Sequence, residues 1–163
     1  MKTRGWLKRD SAGATALYGA IAAEHPRDLV ALQVAHLSDF LLGNAQMLRD
    51  RPTQVLRAWG EREEPRGLVL GMQAFGLNEC GHWDLAETAG RRALDLNACD
   101  IWAAHAVAHT MEMRGRTRDG IDFLERTAPD WGEQNFLAFH NWWHIALFHL
   151  ENGDHAAALQ CVL

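Results

Sequence analysis

The feature that most constrains this chain is a period of 34 residues. Gly81 and Gly115 stand 34 apart, and so do Ala74 and Ala108, Ala86 and Gly120, and Ala93 and Thr127. Each of the two glycines follows one stretch with apolar residues at helical spacing (68–80 and 101–114) and precedes a second (83–96 and 118–127). A glycine just past a helix end adopts a left-handed backbone at little cost, so it suits a tight turn between helices. The small residues at matching positions suit close approach of two antiparallel helices.

Helix–turn–helix units recurring at this period are the tetratricopeptide pattern. Few residues favour strand, so the chain is expected to be all-α, a right-handed solenoid of about four hairpins. A further copy fits Trp142, Ile145, Ala146 and His149, followed by Ala158 and Val162. Its glycine, Gly153, lies 38 residues after Gly115, so the loop around Pro129–Gln134 is expected to hold about four extra residues. Upstream, Ala14, Tyr18 and Pro26 reproduce the second-helix half of a repeat. Another copy starts near Asp28 with Gly43 as its turn, and Pro52 should break or restart its second helix at Arg51. The chain therefore divides as one repeat domain: 1–26 a partial repeat, 27–64 an irregular repeat, 65–100 and 101–134 repeats, and 135–163 a repeat truncated at its C-terminus. Both ends look like a slice of a longer array, whose exposed end helices could drive self-association.

Composition narrows the function. The chain has 48% hydrophobic residues, enough for a sizeable core. Its net charge is −5, and its 16 Lys and Arg are scattered, with no basic run beyond Arg91-Arg92. Phosphate binding needs a concentrated basic face, so no nucleic-acid partner is expected. No apolar run approaches the ~18 residues of a membrane span. Cys80, Cys99 and Cys161 are widely spaced with no CxxC pair, which reads as free thiols in a reducing, cytoplasmic compartment. The basic start (Lys2, Arg4, Lys8, Arg9) and the small-residue run after it lack the leucine-rich core of a signal peptide, and the repeat phase explains them better.

Two stretches carry the polar chemistry. IWAAHAVAHTMEM places His105 and His109 four apart, and FLAFHNWWHIALFHLE does the same for His140 and His144. Residues four apart share one helix face. Counted back from the turn glycines, His105 matches Trp143, His109 matches Phe75, and Glu112 matches Asn78. First helices line the inner face of such arrays. Asn78, His105, His109, Glu112, His140 and Trp143 should therefore share one surface, with His144 one position off, at its edge. Three readings of this cluster are open. It could be a polar network fixing helix register, with imidazoles bonded to carboxylate and carbonyl oxygens. It could be a recognition groove for a peptide or small molecule. It could be a metal site, in which His105, His109, His140 and His144 hold zinc or a related ion. No Glu lies between the paired histidines, so the HExxH arrangement of metalloproteases is absent. No GxSxG, GxGxxG or P-loop occurs, only two serines are present, and Cys80 reads as a packed thiol, so no catalytic residue is assigned. The remaining histidines (His25, His36, His82, His149, His155) read as turn or surface residues, and the tryptophans, Trp143 apart, mostly as packing.

Several blocks resemble the tetratricopeptide repeat protein 38 family and its bacterial members. They are HPRDLVALQVAHLSDFLLGN, then LGMQAFGLNECGHWDLAETAGRRALDLNACDIWAAHAVAHTMEMRGRTRDGIDFLE, then FHNWWHIALFHLENGDHAAAL. The likeness runs from about His25 to the C-terminus, and AFGLNE, WAAHAVAHTMEM and HNWWH are its most specific parts. Members are much longer, so the resemblance implies that this chain is a fragment of an α-solenoid. It brings no activity with it. The expected function is a binding or scaffold module engaging a protein, peptide or small ligand on its concave face, with no cofactor. The alternative is a metal-binding protein or metal-dependent enzyme using the His and Glu cluster.

Overall fold

The structure is a computed structural model that describes residues 4–132 and 137–161, with side chains from Ala12 onward. Among the described residues nine α-helices run in order: α1 (Arg4–Glu24), α2 (Leu29–Leu42), α3 (Ala45–Val55), α4 (Glu64–Glu79), α5 (Trp83–Leu96), α6 (Ile101–Met113), α7 (Thr117–Trp131), α8 (Ala138–Glu151) and α9 (His155–Gln160). No strand occurs among the described residues. Aspartates begin three of the helices as N-caps. Asp28 accepts from Ala31 N, Asp100 from Trp102 N and Ala103 N, and Asp154 from Ala157 N. Each cap satisfies amides that have no partner within the helix.

The turn glycines repeat one geometry. Gly43, Gly81, Gly115 and Gly153 have φ of 73°, 75°, 65° and 78°. In each turn the following amide reaches back five residues: Asn44 to Asp39 O, His82 to Leu77 O, Arg116 to Met111 O and Asp154 to His149 O, at 2.8–2.9 Å. This closes the helix end in the Schellman manner. Consecutive helices consequently fold back as antiparallel hairpins. Ala74, Ala86, Ala93 and Ala108, the periodic small residues, are all fully buried at the hairpin contacts. At Gly120, their counterpart in α7, an added Cβ would lie 2.5 Å from the Phe148 ring of α8.

Pro52 does not break its helix. α3 runs through it from Ala45 to Val55. Proline lacks an N–H, so the Leu48 carbonyl four residues back has no helical donor. α4 approaches this spot closely. A Cβ on Gly76 of α4 would lie 2.3 Å from both the carbonyl carbon and oxygen of Leu48, so only glycine lets α4 seat there. Beyond α3 a short 3₁₀ turn, Leu56–Ala58, leads to Trp59, whose indole N–H donates to Pro26 O at 3.1 Å and pins this connection to the α1–α2 turn. The extra loop expected around Pro129–Gln134 is placed only in part. α7 continues through Pro129 to Trp131, and residues 133–136 lie outside the described residues, as does Val162.

First helices form one row. α4 packs against α6, and α6 against α8. α2 stands off from α4, and the space between them is a cleft. Second helices α3, α5 and α7 close the other side. The core runs along the row in three clusters, the largest joining α6, α7 and α8 around Val107, Met111, Leu124, Ile145 and Phe148.

Candidate functional site: a histidine centre beside an apolar groove

α6 and α8 each present two imidazoles to the other, one helical turn apart. His105 faces His109 at 4.4 Å between ring centroids, His140 at 4.8 Å and His144 at 5.2 Å. His144 lies 4.7 Å from both His109 and His140. One nitrogen from each of the four rings falls within 4.8 Å of the others. His105 and His144 are buried, and His109 and His140 are half-buried toward the inner face.

The scaffold holds α6 firmly in this position. Ala103, Ala104, Ala106 and Ala108 are all fully buried, so α6 is gripped on several sides by its neighbours. Asn78 of α4 locks its height. The Asn78 amide donates to Ala106 O at 2.6 Å and accepts from the Thr110 hydroxyl at 3.0 Å. On α8, Trp143 stacks on His140 at 5.3 Å and 20°, walling the cluster from solvent.

Polar satisfaction inside the cluster is incomplete. Glu112 Oε2 lies 3.0 Å from His144 Nδ1, close but off the line of its N–H. His144 Nε2 lies 3.2 Å from His140 Nε2. Neither nitrogen of His105 has a hydrogen-bond partner, although the side chain is only 4% exposed. An orphaned buried polar group costs about 1–3 kcal/mol. A register-fixing network, one of the readings of this cluster, is thus left incomplete at His105.

Burial also sets the protonation. Removal from water pushes His105 down to about 2, and the neighbouring imidazoles add to this. Burial and His144 push His109 down to about 4 against the pull of Glu112. His140 is lowered by burial and by His144. The contact with His144 holds Glu112 below the usual carboxylate range. At neutral pH these three imidazoles are therefore uncharged, with lone pairs free, beside an ionised carboxylate.

The second feature is the cleft between α2 and α4, about 320 Å³ in volume. Leu37 and Phe40 of α2 and Leu68 and Phe75 of α4 form its sides, and Trp102 of α6 closes one end. Phe75 and Trp102 also touch the histidine centre, at 5.8 and 6.2 Å from His105. Groove and centre are thus neighbours along one face. Leu37, Phe40, Leu68, Trp102, Phe139 and Trp143 remain 38–70% exposed, an apolar strip running from α2 to α8.

His105, His109, Glu112, His140, Trp143 and His144 come together as a group. His144 sits at the centre, not at the edge, and Trp143 takes the rim. Gly153 lies 38 residues after Gly115 and not 34, so counting back from it by the period does not fix which residues of α8 meet α6. Asn78 is separate. It is buried, and its amide is committed to α6, so it presents nothing to a ligand. His36 is not a surface residue either. It is 8% exposed on the groove floor, and burial lowers it to about 4. The groove itself was not visible in the repeat pattern. Its signal is the helix LVALQVAHLSDFLL, apolar on every side and hence without a clear buried face.

No protein-family profile matches the chain. Among solved structures it is similar to two crystal structures of MamA. One superposes with a TM-score of 0.67 at 15% identity over 99% of this chain and 91% of that one. The other gives a TM-score of 0.67 at 15% identity over 96% and 81%. The chain accordingly has a tetratricopeptide-like helical solenoid fold. At this identity the likeness carries the fold and not the function.

Proposed function

We propose that the chain is a tetratricopeptide-type binding module that takes a short apolar protein segment in the groove between α2 and α4. The observation that carries this is the exposed strip of large apolar side chains along the first-helix face. Monomeric proteins rarely leave such a strip uncovered unless a partner uses it. The groove offers apolar walls and little charge, so its occupant is an apolar segment and not an acidic or basic tail. The likeness of AFGLNE, WAAHAVAHTMEM and HNWWH to the tetratricopeptide repeat protein 38 family supports placing the chain with that family. No catalytic role is assigned.

The test is selection of peptides from a displayed library against the parent and against Leu37→Glu, which puts a charge on the groove wall. Leu37 is half exposed, so the variant should fold. Selected peptides should be rich in aliphatic and aromatic residues and should lose at least tenfold in affinity for Leu37→Glu and for Trp102→Ala. Peptides indifferent to both changes, or no enrichment at all, would refute a groove-based function.

A further inference from the structure

We infer that His105, His109, His140 and His144 bind one late first-row divalent cation of the zinc type, with Glu112 orienting His144 from behind. The inference uses side chains outside the groove walls and does not depend on peptide binding there.

Geometry comes first. Zinc–nitrogen bonds are about 2.0–2.1 Å, so tetrahedral ligand atoms sit about 3.3–3.5 Å apart. His140 Nε2 and His144 Nε2 are already 3.2 Å apart. The whole set lies within 4.8 Å, so the widest pair needs to draw in by about 1.5 Å, which rotation of the imidazoles about their side-chain bonds supplies. The two helices provide two ligands each from consecutive turns, the arrangement by which paired helices build metal sites.

The second observation is the orphaned ligand. Both nitrogens of His105 are buried without a partner. With Nε2 facing Nε2, His140 and His144 also need one of these nitrogens protonated and the other bare, to avoid facing lone pairs. A cation at the common point uses all of these lone pairs at once.

Third is the carboxylate. Glu112 approaches the Nδ1 side of His144, leaving Nε2 to face the other rings. Carboxylate behind imidazole is the usual support of a metal-bound histidine, fixing the tautomer and raising its basicity. The donor type selects the ion. Calcium and magnesium demand oxygen ligands. No thiolate contributes, and imidazole donors suit zinc, copper, nickel or cobalt. Four protein ligands leave no open position, so the site holds an ion between α6 and α8 and is not built to activate water.

The experiment uses the full chain without a histidine tag, stripped of metal and titrated with zinc(II) and, separately, with cobalt(II). We expect one equivalent to bind, with the strong visible absorption of tetrahedral cobalt. His105→Ala should reduce affinity at least 100-fold. Glu112→Gln keeps all four ligands and should still reduce it by about 10–100-fold. His155→Ala, on an exposed helix start, should leave it unchanged. His140→Ala lies on the half-buried rim and keeps the test decisive if His105→Ala does not fold; it too should reduce affinity at least 100-fold. Circular dichroism of each variant establishes that it is folded. Absence of stoichiometric uptake by the folded parent, or uptake unchanged in folded His140→Ala, would overturn the site. Loss of peptide selection with intact metal uptake would refute the groove and leave this site standing, and the reverse holds equally.

Discussion

At the level of single residues, two glycines in helices make opposite predictions. Gly76 faces the Leu48 backbone, where an added methyl would sit 2.3 Å from the carbonyl. Backbone cannot rotate aside as a side chain can. Gly76→Ala should therefore cost about 3 kcal/mol, at the upper end of overpacking. Gly13 lies in α1, and a methyl added there would meet nothing within 4 Å, so Gly13→Ala should raise stability by about 0.5–1 kcal/mol through helix propensity alone. Urea unfolding of the two variants beside the parent checks both signs, and equal midpoints would contradict the packing given for α3 and α4. His36 gives a prediction in pH. Its folded value is about 4 against an ordinary 6.5, because the groove floor removes water from the ring. Below about pH 6.5 the unfolded chain takes up a proton at His36 that the folded chain refuses until about pH 4. Stability from this residue is thus fully present above 6.5 and falls by up to about 1.4 kcal/mol per pH unit as pH drops through that window. His36→Phe should remove that increment of slope. Superimposable stability–pH curves for parent and His36→Phe would show that the ring is not held neutral.

At the level of helices, the contact between α4 and α6 is fixed by a polar pair and by small residues together. Asn78→Leu removes the donor to Ala106 O and the acceptor for Thr110 while keeping similar volume. It should destabilise by about 1–3 kcal/mol. In that variant the Thr110 hydroxyl keeps its second acceptor, Ala106 O at 3.2 Å, and a double-mutant cycle with Thr110→Val measures the coupling of the two side chains. Additive losses would mean that the two side chains do not act as a pair. The same helices mark how far the sequence could be read. Gly81, Gly115, Gly43 and Gly153 were legible because a left-handed turn has one inexpensive residue, and the period follows from them. The four histidines were legible as a group because i and i+4 fix a face. The central place of His144 was not, because the spacing from Gly115 to Gly153 departs from the period and does not fix how α8 meets α6. Pro52 was misleading because the helix it sits in is held by packing against α4, which seats Gly76, 24 positions away, on the Leu48 backbone, and no local rule connects the two. The groove escaped because a helix apolar on all sides does not declare which side stays open.

At the level of the whole molecule, the array is close to one-dimensional, so stability is a sum over neighbouring helices and can differ along the chain. α4, α5 and α6 pack broadly on one another, and α6 carries four fully buried alanines. α8 meets α6 over a much shorter stretch, and α9 has six residues with Ala158 as its buried contact. The join between α6 and α8 is where the histidine centre lies. Without a bound cation that join holds His105 with no partner for either ring nitrogen, and it is a weak join in the row. A cation bridging α6 to α8 couples the two helices directly and stabilises the joined state in proportion to its binding. Amide hydrogen exchange followed along the chain should then show strong protection in α4 to α6 and weaker protection in α8 and α9 for the metal-free protein. Addition of zinc should slow exchange in α8 and in the adjoining turn of α6 by at least tenfold and leave α2 and α3 unchanged. Uniform protection before zinc, or an equal gain in every helix after it, would mean that the chain opens as one unit and that the weak join is not where the histidines lie.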